Sequence, residues 1–306
     1  MELIFKCARV VDFSFQSSHF IYNNPIHLVT QSKSGWWHYT AAAGKSVVAE
    51  VYFNLKLKVA SSPFRAPFSG FEIKKQVSSA QLTSFLRFIL DDLKNKKVTE
   101  VRIKNAPQLL EPKPNNNLHQ VLTQAGFQYE EEVASLVQID QNSLLSKMVP
   151  AKRNRLRKSA FQLGFKAEPL QKLKEVYNFL SLCRQERGQA LSMNYSDMLK
   201  FSKGLPQNLL LYSVSHQDEM TAAAIVIKVN NSVLYTFYYG HLRKFDKLSP
   251  IPFLLDQLYG VAKKQGYQWV DLGTAMLNNS INRPLLHFKK SIGAITTVKR
   301  SYLKVL

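Results

Sequence analysis

The sequence predicts an α+β protein of two domains, each a mixed, mostly antiparallel sheet flanked by helices. Three observations lead there. The chain has 306 residues, more than one hydrophobic core usually organises. Both halves run in the same order: strand-like pieces, then helix, strand, helix and strand. Short polar links, at His216–Glu219 and Asn230-Asn231, join neighbouring strand-like runs, the second consistent with a hairpin. The boundary is expected at Pro150, giving domains 1–150 and 151–306. No residue-level repeat relates the halves.

In the first half, Leu3–Phe15 and the alternating run Val47–Val59 read as strands. A Pro/Gly-punctuated loop, Ser61–Gly70, follows. Leu82, Phe85, Leu86, Ile89, Leu90 and Leu93 form a helical stripe over Ala80–Leu93. Val98–Ile103 is a strand, Leu118–Ala125 a short helix stopped by Gly126, and Glu132–Ile139 another strand.

The second half opens on a basic helix, Lys152–Leu163, ended by Gly164, and a helix near Leu173–Arg187. Strands are expected at Leu209–Ser215, Thr221–Val229 and Val233–Tyr239. Ser249 can cap a long helix reaching Lys264, with Pro250 at an early position where its missing N–H costs little. Tyr267–Gly273 and Ile295–Leu303 supply the closing strands.

Composition narrows the function. Hydrophobic content of 45% and charged content of 20% suit a globular chain with a real core. Lys6, Arg9 and Asp12 interrupt the apolar N-terminus, which therefore reads as a strand and not as a signal peptide or membrane span. Two remote cysteines, Cys7 and Cys183, give no disulfide framework and fit a reducing cytoplasm. Cytoplasmic localisation is the expectation. The net charge of +20 divides into +5 before and +15 after Pro150, so a field that attracts polyanions sits on the second half.

Some signals fail on inspection. Ala41–Ser46, "AAAGKS", lacks the first glycine of a phosphate loop, because Tyr39 holds that position, and a strand follows where a helix is required. The histidines have no paired ligand spacing and two cysteines complete no zinc site, so no metal is expected. Cys183 falls on an apolar stripe and reads as core.

Three segments carry a resemblance: "KRNRLRKSAFQLGFKAE" at 152–168, "SPIPFLLDQLYGVAKKQGYQWVDLGTA" at 249–275, and "NRPLLHFKKSIGA" at 282–294. Their order resembles the Fem-like branch of the GNAT acyltransferase superfamily, and "SSPFRAPFSGFEI" is similar to the opening of that branch's first domain. The resemblance implies two tandem GNAT-like domains and transfer of an acyl or aminoacyl group to an amine. The second domain is expected to bind the donor, because it has most of the excess charge and the stronger motifs, with the reaction in the groove between domains. The chain departs from the wider superfamily where a pyrophosphate loop, a Gln or Arg before Gly-x-Gly/Ala, is usual. Here Arg243, Lys244 and Lys247 precede Ser249, and N–H groups at the helix start are the remaining phosphate receptors.

The candidate site residues follow. Arg153 and Arg157 are four apart and share a helical face, a fork for phosphate, whereas Arg155 points elsewhere. Alternation along Tyr235–Tyr239 puts Phe237 and Tyr239 on one face and Tyr238 on the other. The resemblance makes that strand a groove wall, with Tyr239 positioning a substrate or donating a proton. Asp271, at a strand end, either orients an amine or bonds the backbone of its own turn. Phe288 and Ile292 have the spacing of a packed helical face, with Lys289 and Lys290 beside it and at least one aimed outward. The resemblance assigns Lys289 to the oxyanion of the tetrahedral intermediate. No general base is legible.

The expectation is an N-acyltransferase moving an acyl group from acyl-CoA to an amine by direct attack. Alternatives are a Fem-like aminoacyltransferase using aminoacyl-tRNA, favoured by the basic second half, and a non-catalytic module binding an anionic ligand or RNA. The acceptor is expected to be an amine-bearing cell-wall or sugar precursor.

Overall fold

The computed structural model describes residues 3–11, 18–73, 77–162, 164–169 and 171–306. It separates into two compact units, 1–132 with 297–306 and 133–296. The expected boundary at Pro150 thus moves to Glu132, and the final strand leaves the second domain for the first. The reason is pairing. The strand's end, Ser301–Val305, lies antiparallel to Glu100–Lys104 in the first unit.

Strands of the first unit are β1 (Ile4–Arg9), β2 (Trp36–Ala43), β3 (Ser46–Lys56), β4 (Val59–Ser62), β5 (Glu72–Ile73) and β6 (Glu100–Lys104). Helices α1 (Pro25–Gln31), α2 (Ser79–Asn95) and α3 (Pro112–Gln124) accompany them. Strand β7 (Gln128–Gln138) begins in this unit and ends in the next. Strand order is β1-β2-β3-β4-β6, with the closing strand beside β6 and β5 on β3. A reciprocal capping box of Ser78 and Gln81 starts α2. Its stripe of Leu82, Phe85, Leu86, Ile89 and Leu93 packs on Val51, Phe53, Val101 and Ile103 of the sheet.

Two sequence expectations change here, and one strand is added. The run Val47–Val59 is two strands, because Leu57 and Lys58 take positive φ of 49° and 64° and turn the chain. Strand β2 carried no expectation, although Trp36, Trp37, Tyr39 and Thr40 suit a strand, and it pairs with β1 and β3. The expected strand Leu3–Phe15 ends at Arg9, and its residues 12–15 lie outside the described residues.

The second unit contains α4 (Leu144–Lys147), α5 (Pro150–Arg157), β8 (Lys166–Pro169), α6 (Leu173–Gln185) and α7 (Tyr195–Gly204). It continues with β9 (Leu209–His216), β10 (Glu219–Lys228), β11 (Val233–His241), α8 (Pro250–Lys264) and β12 (Trp269–Thr274). Two short strands, β13 (Met276–Leu277) and β14 (Ser280–Ile281), then α9 (Arg283–Ser291) and β15 (Ile295–Val305), complete the chain. Order is β8-β9-β10-β11-β12, with the end of β7 beside β12. Leu254, Leu255, Leu258 and Ala262 of α8 cover one sheet face, and Val176 and Leu180 of α6 with Met198 of α7 cover the other. The basic helix is shorter than expected: α5 stops at Arg157 and a π-turn, Lys158–Gln162, follows, with Leu163 outside the described residues. Among the described residues no helix is long and apolar enough to cross a membrane.

Candidate active site

The site begins where two strands part. Strands β11 and β12 pair in parallel over Val233–Tyr235 and Trp269–Asp271. Beyond that, β11 continues along β10 as far as His241, while β12 shifts register against β7 between Asp271 and Thr274. Gly273 absorbs the shift with φ of +73°, a conformation that L side chains resist. A cavity of about 520 Å³ lies there, and its lining belongs wholly to the second unit.

Helix α9 delivers Lys289 to this cavity. Asn282 caps the helix, its side chain accepting from Leu285 N–H at 3.0 Å, and Pro284 sits in the first turn. The helix buries Lys289 to 1% exposure, while Lys290 beside it is exposed. A buried ammonium needs acceptors. Lys289 Nζ donates to Gly273 O and Thr274 O, both at 2.9 Å. Burial, aided by Arg184, lowers its pKa from 10.5 to about 8, against the opposing pull of Asp271.

The aromatic strand separates Tyr239 from Tyr238 as its alternation predicts, but Phe237, at a register shift between β10 and β11, also packs against the core that holds Tyr238. Tyr235, Phe237 and Tyr239 line the cavity. Tyr238 faces the opposite core, where its hydroxyl meets Ser192 Oγ at 2.7 Å and accepts from Met193 N–H at 2.8 Å. Burial raises the Tyr239 pKa, Arg184 opposes the rise and Asp271 adds to it, so this phenol stays protonated.

Helix α6 supplies cations that the sequence reading missed. Gly240 lets it approach β11, since a Cβ there would stand 3.1 Å from Cys183 Cβ. Arg184 and Arg187, which follow Cys183, thereby reach the cavity. Arg187 donates to Cys183 O at 2.8 Å and His241 O at 2.9 Å, and pairs with Asp246 at 3.7 Å. Asp246 also meets His241 Nε2 at 2.7 Å. The Arg184/Arg187 pair three apart after an apolar stripe was the available signal.

From α5, Lys152 and Arg155 line the cavity, and Lys152 stands 5.1 Å from the Phe288 ring centroid. Burial, then Arg155, lowers the Lys152 pKa. Arg153 instead turns back to donate to Met148 O at 3.1 Å, and Arg157 is exposed and does not line the cavity. The expected fork and the expected outlier on this helix change places. Its orientation decides this, with Leu156 buried and Ser159 Oγ donating to Leu248 O at 2.7 Å.

The remaining candidates separate. Ser249 lines the cavity but caps nothing: its φ is 54°, its side chain makes no capping bond, and its N–H goes to Asp246 O at 3.3 Å. Prolines at 250 and 252 carry no N–H, so two of the four N–H groups that a helix start leaves open are missing. The phosphate seat expected at the start of α8 is therefore poorly furnished. Arg243, Lys244 and Lys247 lie exposed on the turn Arg243–Leu248 and do not line the cavity, and Lys244 pairs with Glu219. Asp271 is 2% exposed and accepts from Gly273 N–H at 2.7 Å, holding the turn whose carbonyl receives Lys289.

Comparison with known proteins agrees with the fold. Residues 149–289 match the family model described as an acetyltransferase (GNAT) domain. The solved structure of FemX superposes with a TM-score of 0.71 at 14% identity, over 92% of this chain and 91% of that one. A tandem GNAT protein from the clavulanic acid biosynthesis pathway gives 0.55 at 9% identity, over 99% and 98% of the two chains. L-PGS from Bacillus licheniformis gives 0.55 at 15% identity, over 83% and 80%. No curated protein matches in sequence. Residues 149–289 thus match a GNAT acetyltransferase domain, and the fold of the chain is similar to that of FemX.

Proposed function

We propose that the cavity of the second unit transfers an acyl or aminoacyl group from a carrier to an amine by direct attack, without a covalent enzyme intermediate. The observation behind this reading is Lys289: a buried ammonium with two N–H groups on the Gly273 and Thr274 carbonyls and one left for a ligand. Attack on a carbonyl places negative charge on its oxygen, and a fixed ammonium in a water-poor cavity stabilises that charge strongly. Tyr239, kept protonated, positions a substrate or gives a proton to the leaving group. Asp271 acts indirectly, through the Gly273 turn and through its charge on Lys289. Holding both reactants in one cavity supplies much of the acceleration.

Lys152, Arg155, Arg184 and Arg187 give the cavity an excess of positive charge, which favours a substrate bearing phosphate or carboxylate. An amine-bearing cell-wall or sugar precursor has that character. Acyl-CoA is the first reading for the donor. The proline-rich start of α8 favours a second, aminoacyl-tRNA, because it withdraws the backbone N–H groups that would otherwise receive a pyrophosphate.

The test offers labelled acyl-CoAs and labelled aminoacyl-tRNAs to the protein with a panel of phosphorylated amino sugars and amine-bearing precursors. Amine-dependent transfer from either donor supports the reading and identifies the carrier. Salt-sensitive RNA binding without transfer from any donor would leave the non-catalytic module instead.

A further inference from the structure

We infer that Lys289 is also the proton acceptor of this reaction: its neutral amine takes the proton of the attacking amine and becomes the ammonium that then faces the oxyanion. The inference rests on the acyl transfer proposed above and supplies the base that no other residue offers in the sequence pattern. The geometry is specific. A lysine nitrogen has four tetrahedral positions, one of them bonded to its own side chain. Two of the others point N–H groups at Gly273 O and Thr274 O, each 2.9 Å away. A neutral amine keeps both of those bonds and is left with a lone pair at the remaining position, whereas the ammonium has an N–H there. Gaining or losing a proton therefore requires no rotation of the side chain and no loss of either carbonyl contact.

The surroundings hold the balance. Charged groups acting on Lys289 are Asp271 from β12, which favours the ammonium, and Arg184 from α6, which disfavours it. Lys152 and Arg155 from α5 and Tyr239 from β11 line the same cavity. Burial adds to Arg184 and brings the amine to about 8, where both protonation states are accessible near neutral pH.

The step balances without any further reactant. The acceptor nitrogen forms its bond to the carbonyl carbon, and the carbonyl pair moves onto oxygen. One proton passes from that nitrogen to Lys289. The intermediate then collapses, the bond to the carrier breaks, and the leaving group takes the proton back from Lys289.

Two measurements test this on the full chain. Competitive labelling with trace acetic anhydride across pH reads the titration of each lysine in the wild-type protein, and Lys289 is expected to titrate near pH 8. In transfer assays, wild-type kcat should rise with pH towards a plateau above that value. Lys289→Arg keeps a cation but cannot act as a base, so kcat should fall by about 100-fold or more. A wild-type kcat that falls above pH 8, a Lys289→Arg enzyme within about 3-fold of wild type, or a Lys289 that labels only above about pH 10 while transfer proceeds would overturn the proton relay alone. Absence of transfer from every carrier would overturn the acyl-transfer reading and the relay with it. Because the titration is read on wild-type protein, a variant that fails to fold leaves the inference open to refutation.

Discussion

Among the described residues, each unit has a pair of strands running in parallel, and the two pairs end differently. In the first unit, β4 and β6 pair over Val59–Ser62 and Glu100–Ile103, and a further bridge joins Ser69 to Asn105. At that junction Ser62 and Ser69 Oγ lie 3.3 Å apart and Asn105 is only 4% exposed. In the second unit, β11 and β12 pair over three residues each, and among the described residues no further bridge joins them. The gap receives a lysine from α9, a tyrosine from β11 and arginines from α6. The seam of the first unit is bridged again and borders a cavity of about 630 Å³ whose lining mixes Arg102 and Lys104 with Glu130, whereas that of the second opens into a cavity with a buried lysine. Topology permits a site at such a junction, and side-chain chemistry decides whether there is one.

The largest effect expected from this contrast is at Lys289. Lys289→Met keeps the flexible apolar stem, so the fold should survive while transfer falls roughly 10²–10³-fold, mostly in kcat. Lys290→Met removes the same charge from an exposed position and should leave transfer near wild type. Equal, small losses in both variants would return the second seam to the status of the first. The same residue has a pH signature in stability. Its folded value, about 8, lies below the ordinary 10.5, so between those values the unfolded chain binds a proton that the folded chain does not. Stability should therefore gain from this group as pH rises through that window, and Lys289→Met should lack that gain in chemical denaturation series at pH 7.5 and 9.5.

A smaller effect separates the two faces of α5. Arg155→Ala with Arg184→Ala should weaken binding of an anionic substrate by about 10-fold or more and flatten its salt dependence. Arg153→Ala with Arg157→Ala removes the same charge away from the cavity and should do much less. Titrations at two salt concentrations make the comparison, and equal losses in both pairs would mean a diffuse field in place of a built site.

The smallest effect concerns the strand that divides the two cores of the second unit. Tyr238→Phe loses contacts with Ser192 and Met193, and should cost about 1 kcal/mol of stability without changing kcat. Tyr239→Phe, on the cavity face, should do the reverse. Thermal melts and transfer rates on both variants give the answer.

Much of this was legible in the chain. Period-two and helical patterns placed α2, β7, α6, β9, β10, β11 and α8 within a few residues, because burial on one face imposes its period on the sequence. Strict alternation also divided Tyr238 from Tyr239 correctly, since neighbouring strand residues must face opposite ways. Resemblance in "LLHFKKSIGA" directed attention to Lys289, which lies in the cavity, although its place there does not by itself test its role. Other features needed the folded chain. The domain boundary depends on β15 pairing with a strand nearly two hundred residues earlier, and local sequence carries no record of such a partner. Choosing Arg155 over Arg153 depends on the roll of α5, set by Leu156 and Ser159 against the rest of the unit. The altered acid–base character of Lys289 arises from its burial, two carbonyls, Asp271 and Arg184, contributed by β12 and α6. The sequence by itself determined which faces are apolar and which residues carry charge. The tertiary structure decided which charges lose their water and meet one another, because desolvation and Coulomb interactions depend on distance in space and not along the chain.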